Sequence, residues 1–167
     1  FLQNLTAANV QEGGARSDSS SYDVTIAQAL LHGGVAAVDG GLTKQGYGTL
    51  TLNGAGTFNG PTAVQAGKLV LTTLHTGGGS ITGNDGAALG VRVAAAGTSL
   101  RVSTLTLGQS AGANSEFNLS VLGNPTAPVI WATNLTTHGT IQVDVSGVGL
   151  AVDQFPLIRY SGTIGGS

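Results

Sequence analysis

Three histidines, His32, His75 and His138, are the side chains of this chain best suited to hold a metal ion or move a proton near neutral pH. None stands in an H-x-x-x-H or H-E-x-x-H arrangement, the spacings that bring imidazoles together with a carboxylate. They read as turn or surface residues. Asp144 and Asp153 flank a glycine turn and could approach across neighbouring strands, and a carboxylate pair is the minimum for glycoside hydrolysis. The simpler reading is two solvated turn acids. Serine, histidine and aspartate all occur, yet no G-x-S-x-G places a serine on the strained turn that a hydrolase nucleophile needs.

The stretch from Gly77 to Gly86, GGGSITGNDG, is similar to one calcium-binding nonapeptide of a β-roll. Calcium needs consecutive copies so that two turns supply oxygens, and one imperfect copy reads instead as a turn at Asn84-Asp85-Gly86. Asn4, Asn118 and Asn134 begin glycosylation sequons, which arise freely in a Thr- and Asn-rich chain. No catalytic, cofactor-binding or metal-binding residue is therefore expected. Tyr47, Trp131 and Tyr160 remain as aromatics that could contact a glycan or a cell-surface protein.

The elements that must position these side chains can be read from composition. The 167 residues suffice for a domain with its own core. Charged residues make up 8% of them, against about 25% in ordinary globular proteins, and 28 are glycine. The surface is thus built from Thr, Ser, Asn, Gln and Gly. Six Lys plus Arg and a net charge of −2 exclude the clustered cations that nucleic acid requires. Arg92 and Arg101, the nearest thing to a basic pair, read as solvated residues on a strand face. Cysteine is absent, so no disulfide contributes. No window approaches the ~20 uninterrupted apolar residues of a spanning helix. Phe1-Leu2-Gln3-Asn4 has neither a basic nor an apolar signal region, and the chain reads as a processed product or a piece of a longer protein.

Residues 1–21 are polar and read as an arm or donor strand; residues 22–167 read as one domain. Within it, Thr49-Leu50-Thr51-Leu52 and Lys68-Leu69-Val70-Leu71 alternate with period two between glycines at 46, 48, 54, 56, 60 and 67. Tyr22 to Leu31 fits a strand or a capped helix, and strand is the preferred reading. Further short strands are expected at 89–93, 99–102, 104–107, 116–122, 129–132, 140–145 and 155–160. Gly112 is among the glycine marks between them. Such spacing suits a β-solenoid or a β-sandwich.

Gly41 to Leu71 closely resembles the autotransporter-associated β-strand repeat, the passenger-associated repeat of secreted bacterial proteins. The carrying residues include Leu42, Lys44, Gly46, Gly48, Leu50, Leu52, Gly54, Phe58, Gly60, Val64, Gly67, Leu69 and Leu71. The segments 122–130, 139–145 and 155–160 resemble the stretches that come after such repeats in large secreted proteins. Two departures stand out: Gly56 and Phe58 replace the usual Asn and Tyr, and Pro61 comes directly after Gly60. The resemblance implies a right-handed parallel β-helix, with a sandwich as the alternative, and a secreted or cell-surface bacterial home. It casts Leu50, Leu52, Val64, Leu69 and Leu71 as the inner stack, with Thr49, Thr51, Thr62 and Lys68 facing solvent.

The expected role is that of a non-catalytic structural segment, a spacer or fibre subunit. The partner would be another copy, joined through terminal strands in which Phe1, Leu2 and Leu5 of the arm contribute. An adhesin using Tyr47, Trp131 and Tyr160 is the second reading, and a polysaccharide-acting enzyme the third.

Overall fold

The computed structural model describes residues 2–110 and 114–167, so Phe1 and Gly112 lie outside the described residues. The described residues form strands and no helix. Every strand pair is parallel, and the chain winds in about six turns as a β-solenoid, not a sandwich or a barrel.

One face is a sheet of β3 (Val24–Ile26), β6 (Thr49–Leu52), β8 (Lys68–Thr72), β10 (Ala88–Arg92), β12 (Asn114–Leu122) and β14 (Thr140–Val148), side by side in that order. The facing sheet runs β2 (Ala15–Asp18), β5 (Leu42–Gln45), β7 (Thr62–Val64), β9 (Ile81–Gly83), β11 (Leu100–Leu107), β13 (Ile130–Thr137) and β15 (Ile158–Tyr160). There β16 (Ile164–Gly166) also pairs with the second half of β13. A short third sheet pairs β1 (Ala8–Val10) with β4 (Leu30–His32). Residues 8–10 and 15–18, in the segment expected to form an arm, are thus strands hydrogen-bonded to β4 and β5.

Period-two alternation decides what each strand buries. In the first sheet Val24, Leu50, Leu69, Leu89, Phe117 and Val143 occupy one column. Leu71, Val91, Leu119 and Val145 share a second column two residues further along. Leu50, Leu52, Val64, Leu69 and Leu71 are all buried, as the alternation requires. Each such burial is worth about 1.5–3 kcal/mol against the entropy of ordering the chain.

The length of a turn varies along the axis. Leu42 stands beside Thr62 and Thr62 beside Ile81; Leu50 stands beside Leu69 and Leu69 beside Leu89. A turn there takes 19 or 20 residues, against 24–30 for the other pairings of these two sheets. The shortest turns leave room for little besides strands and corners. Gly41 shows the consequence: its φ is +70°, and a Cβ there would overlap the Pro61 oxygen. That oxygen accepts the Leu42 N–H at 3.0 Å, so Pro61 is accommodated as an acceptor at a corner.

Two expectations change. Thr62 does not face solvent: it is buried in an inward column between Leu42 and Ile81, because β7 continues the β5 register. The strands expected at 99–102 and 104–107 merge into β11, which pairs with β13 along both halves and on its other side with β9 and, at Val102, Gly78, and β12 and β14 each reach nine residues. Tyr47 is 84% exposed, whereas Phe58 is buried with its ring 4.4 Å from that of His75.

Candidate functional site

The most elaborate polar constellation sits at a corner of the repeat. Asp39 is buried, and its Oδ1 accepts the backbone N–H of Gly41 at 2.9 Å and of Gly60 at 2.8 Å. Its Oδ2 accepts the Asn59 N–H at 2.8 Å and lies 2.9 Å from His32 Nδ1. Asn59 answers in kind, its Oδ1 accepting the Asp39 N–H and its amide donating to the Ala37 carbonyl. Burial works against ionisation of Asp39. The hydrogen bonds from Asn59, His32, Gly41 and Gly60 outweigh it and hold the carboxyl below its ordinary 3.8. Both carboxylate oxygens are engaged, by three backbone N–H groups of the corner and by His32. The group locks two turns together and leaves no carboxylate oxygen for a substrate.

Lys44, the repeat's lysine, is fully buried. Its Nζ donates to the carbonyls of Gln45 and Gly46, both at 2.7 Å, and of Ala66 at 3.2 Å. Three donors meet three corner acceptors, so the ammonium replaces water at the next corner. Burial lowers its pKa from 10.5, and the nearby charge of Asp18 partly restores it. Its place two residues after the buried Leu42 puts it on the inward face of β5.

The expected surface position fails for His75, which is buried against Phe58. A Cβ at position 56 would lie 2.8 Å from its Nδ1, so the glycine found where the repeat usually has asparagine makes room for this ring. Burial lowers the His75 pKa below 6.5, and the charge of Asp39 and the Gly56 backbone partly offset that. The unfolded chain therefore binds a proton here at a higher pH than the folded one. Stability from this residue is complete above about pH 6.5 and falls as the pH drops below it, by at most about 1.4 kcal/mol per pH unit. Urea midpoints at pH 5, 6 and 7 should fall with pH in the wild type, and H75Q should flatten that slope.

The aromatic candidates do not converge. Tyr47, in the turn after β5, and Trp131, in β13, are four strands apart in one sheet, about 19 Å at the usual inter-strand spacing. Tyr160 stands beside Ala132 in an inward column and is 42% exposed because β15 is the last strand there. Leu5 is exposed, and Leu2 lines a hollow of about 410 Å³ at the first turn, together with Val24, Ile26, Leu42 and Leu50. Phe1 lies outside the described residues.

Trp131 has neighbours that sequence alone did not reveal. Arg101 stands beside it on β11 and Arg159 on β15. Their guanidinium carbons lie 4.6 and 4.5 Å from the indole centroid, one from each flanking strand. Arg101 is exposed, as a strand-face arginine should be, and is in addition one half of a cation–π stack.

Of the other acids, Asp144 and Asp85 are bonded to an adjacent turn and Asp153 only to the next residue. Asp144 accepts from Asn118 at 3.0 Å on the adjacent strand. Asp153 accepts from the Gln154 N–H. Asp85 accepts from Gln109 and Ser110 one turn on, and these bonds lower its pKa from 3.8. Among the described residues no three His, Asp or Glu side chains converge as a metal site would require. The geometry is that of a ladder of turns, each stapled to the next.

No curated protein and no solved structure matches the chain. Residues 42–71 match the family model of the passenger-associated-transport-repeat. That segment spans β5 to β8, two strands from each main sheet. The chain is a β-solenoid that carries a passenger-associated transport repeat.

Proposed function

We propose that this chain is a non-catalytic structural segment of a secreted or cell-surface bacterial protein, a rigid solenoid that extends end to end with further copies of itself. The observation that carries the reading is that both end turns can accept a further turn, whether from a second copy or from more of the same polypeptide. At the last turn, β14, β15 and β16 have no further neighbour among the described residues. The inward columns surface there, with Val143 47% and Ile164 60% exposed. At the first turn, β2 and β3 are likewise terminal in their sheets, over the apolar hollow floored by Leu42 and Leu50.

Both ends present parallel strands of the same polarity. A second copy can therefore place its β2 and β3 on the β15 and β14 of the first, continuing two sheets and two apolar columns at once. Such a contact is heterologous and does not close, so it propagates as a filament. Residues 8–10 are already paired with β4, which favours stacking of whole ends over donation of an arm. The secreted setting rests on the repeat at 42–71 and on a surface made of Thr, Asn, Ser and Gly in place of charge.

Sedimentation velocity and negative-stain electron microscopy over rising protein concentration test this. Rods with an axial repeat of about 30 Å, roughly six turns at the 4.7–4.9 Å strand spacing, are expected. The V143K/I164K variant should remain monomeric. A wild-type chain that stays a compact monomer at high concentration would overturn the proposal.

A further inference from the structure

The column Arg101–Trp131–Arg159 is more than the solenoid needs to hold its turns together. Each guanidinium lies over the indole ring, a contact that restrains where its charge sits. Both arginines are exposed. Among the described residues neither has a carboxylate within salt-bridge distance, the sole such pair being His32 with Asp39. Two of the chain's six cations are thus gathered in one column, restrained by the indole and without an internal anion.

We infer that this column is a binding site for an acidic polysaccharide lying along the solenoid axis. The two guanidinium forks sit two strands apart, about 9–10 Å at the usual strand spacing, and each matches a carboxylate or sulfate in a bidentate manner. A polymer that carries one acidic group per disaccharide presents its charges at this kind of interval. Nucleic acid, with a phosphate every ~3.4 Å along each strand, would meet too few cations on a chain of net charge −2. Exposed hydroxyls of Ser103 and Thr133, two residues on from Arg101 and Trp131, provide donors and acceptors for sugar hydroxyls. The site is open and shallow, which suits an extended chain. It also changes the role of Trp131: with an arginine over each face, the indole orients charge and does not itself stack on a sugar.

The test uses the whole chain, with Trp131 fluorescence and an immobilised-glycan assay, at low salt. Hyaluronate, with one carboxylate per disaccharide, is the probe, beside neutral dextran and oligothymidylate. Binding to hyaluronate alone is expected, weakened at least tenfold in R101Q/R159Q and unchanged in R16Q/R92Q. R101K/R159K keeps the charge and loses the planar fork, and a loss of at least threefold is expected there. Equal binding to dextran, tighter binding to oligothymidylate, or undiminished hyaluronate binding by a folded R101Q/R159Q protein would each overturn the assignment. Absence of any binding by the wild type would also overturn it and would leave the end-to-end assembly reading intact.

Discussion

Phe117→Ala is expected to lower the unfolding free energy by about 3–5 kcal/mol, the usual cost of removing a fully buried phenylalanine. Phe117 is the largest side chain in its column, between Leu89 on one turn and Val143 on the next. A solenoid turn touches only its neighbours, so the cavity removes coupling between adjacent turns and little else. The damage should be directional. The strands beyond it, β14 to β16, already lie at the exposed end and hold fewer buried groups of their own. Urea unfolding of F117A should lose its single transition, and hydrogen exchange should show 140–166 opening before 42–71. Unchanged protection of β14 would mean that the turns are not coupled through this column.

Asp39→Ala should rival that loss while removing far less apolar surface. Three backbone N–H groups, of Gly41, Asn59 and Gly60, would lose their acceptor at a buried corner. Each unsatisfied donor costs about 1–3 kcal/mol, so a total of roughly 3 kcal/mol or more is expected. Asp39→Asn keeps one oxygen for Gly41 and Gly60 but turns an amide toward the Asn59 N–H, and should cost less. The pH dependence separates the two causes. Because the folded carboxyl titrates below the ordinary 3.8, its stabilisation is full above that value and disappears as the pH falls through the lower, folded one. D39N should therefore be less stable than wild type at pH 7, with the gap closing in strong acid. Thermal unfolding at pH 7 and pH 2.5 measures this, and an equal gap at both would show that the carboxylate's charge is irrelevant.

How much of this molecule could be read from its residues depends on the range of the interaction concerned. Thr49-Leu50-Thr51-Leu52 needs only its own alternation to declare which side chains turn inward, and those leucines are buried. Gly41 and Gly67, with φ of +70° and +63°, mark corners because no other residue fits there cheaply. The polar corner was partly visible, since Asp-Gly-Gly and Asn-Gly are turn sequences. Their meeting across twenty residues was not visible. Thr62 misled because threonine suits either face of a strand, and only the register with Leu42 and Ile81 put it inside. His75 misled for the opposite reason, as a polar residue whose burial depends on a partner that the fold supplies.

Local features were therefore legible in the residues: short strands, their inner faces, the corners and the transport-repeat segment at 42–71. Alternation and backbone sterics act within a few residues, so they leave their mark in consecutive letters. Which strand lies over which is a property of the winding, because turns of 19 to 30 residues make the vertical neighbour unreadable from spacing. Arg101, Trp131 and Arg159 are separated by 30 and then 28 residues, and winding alone makes them one column.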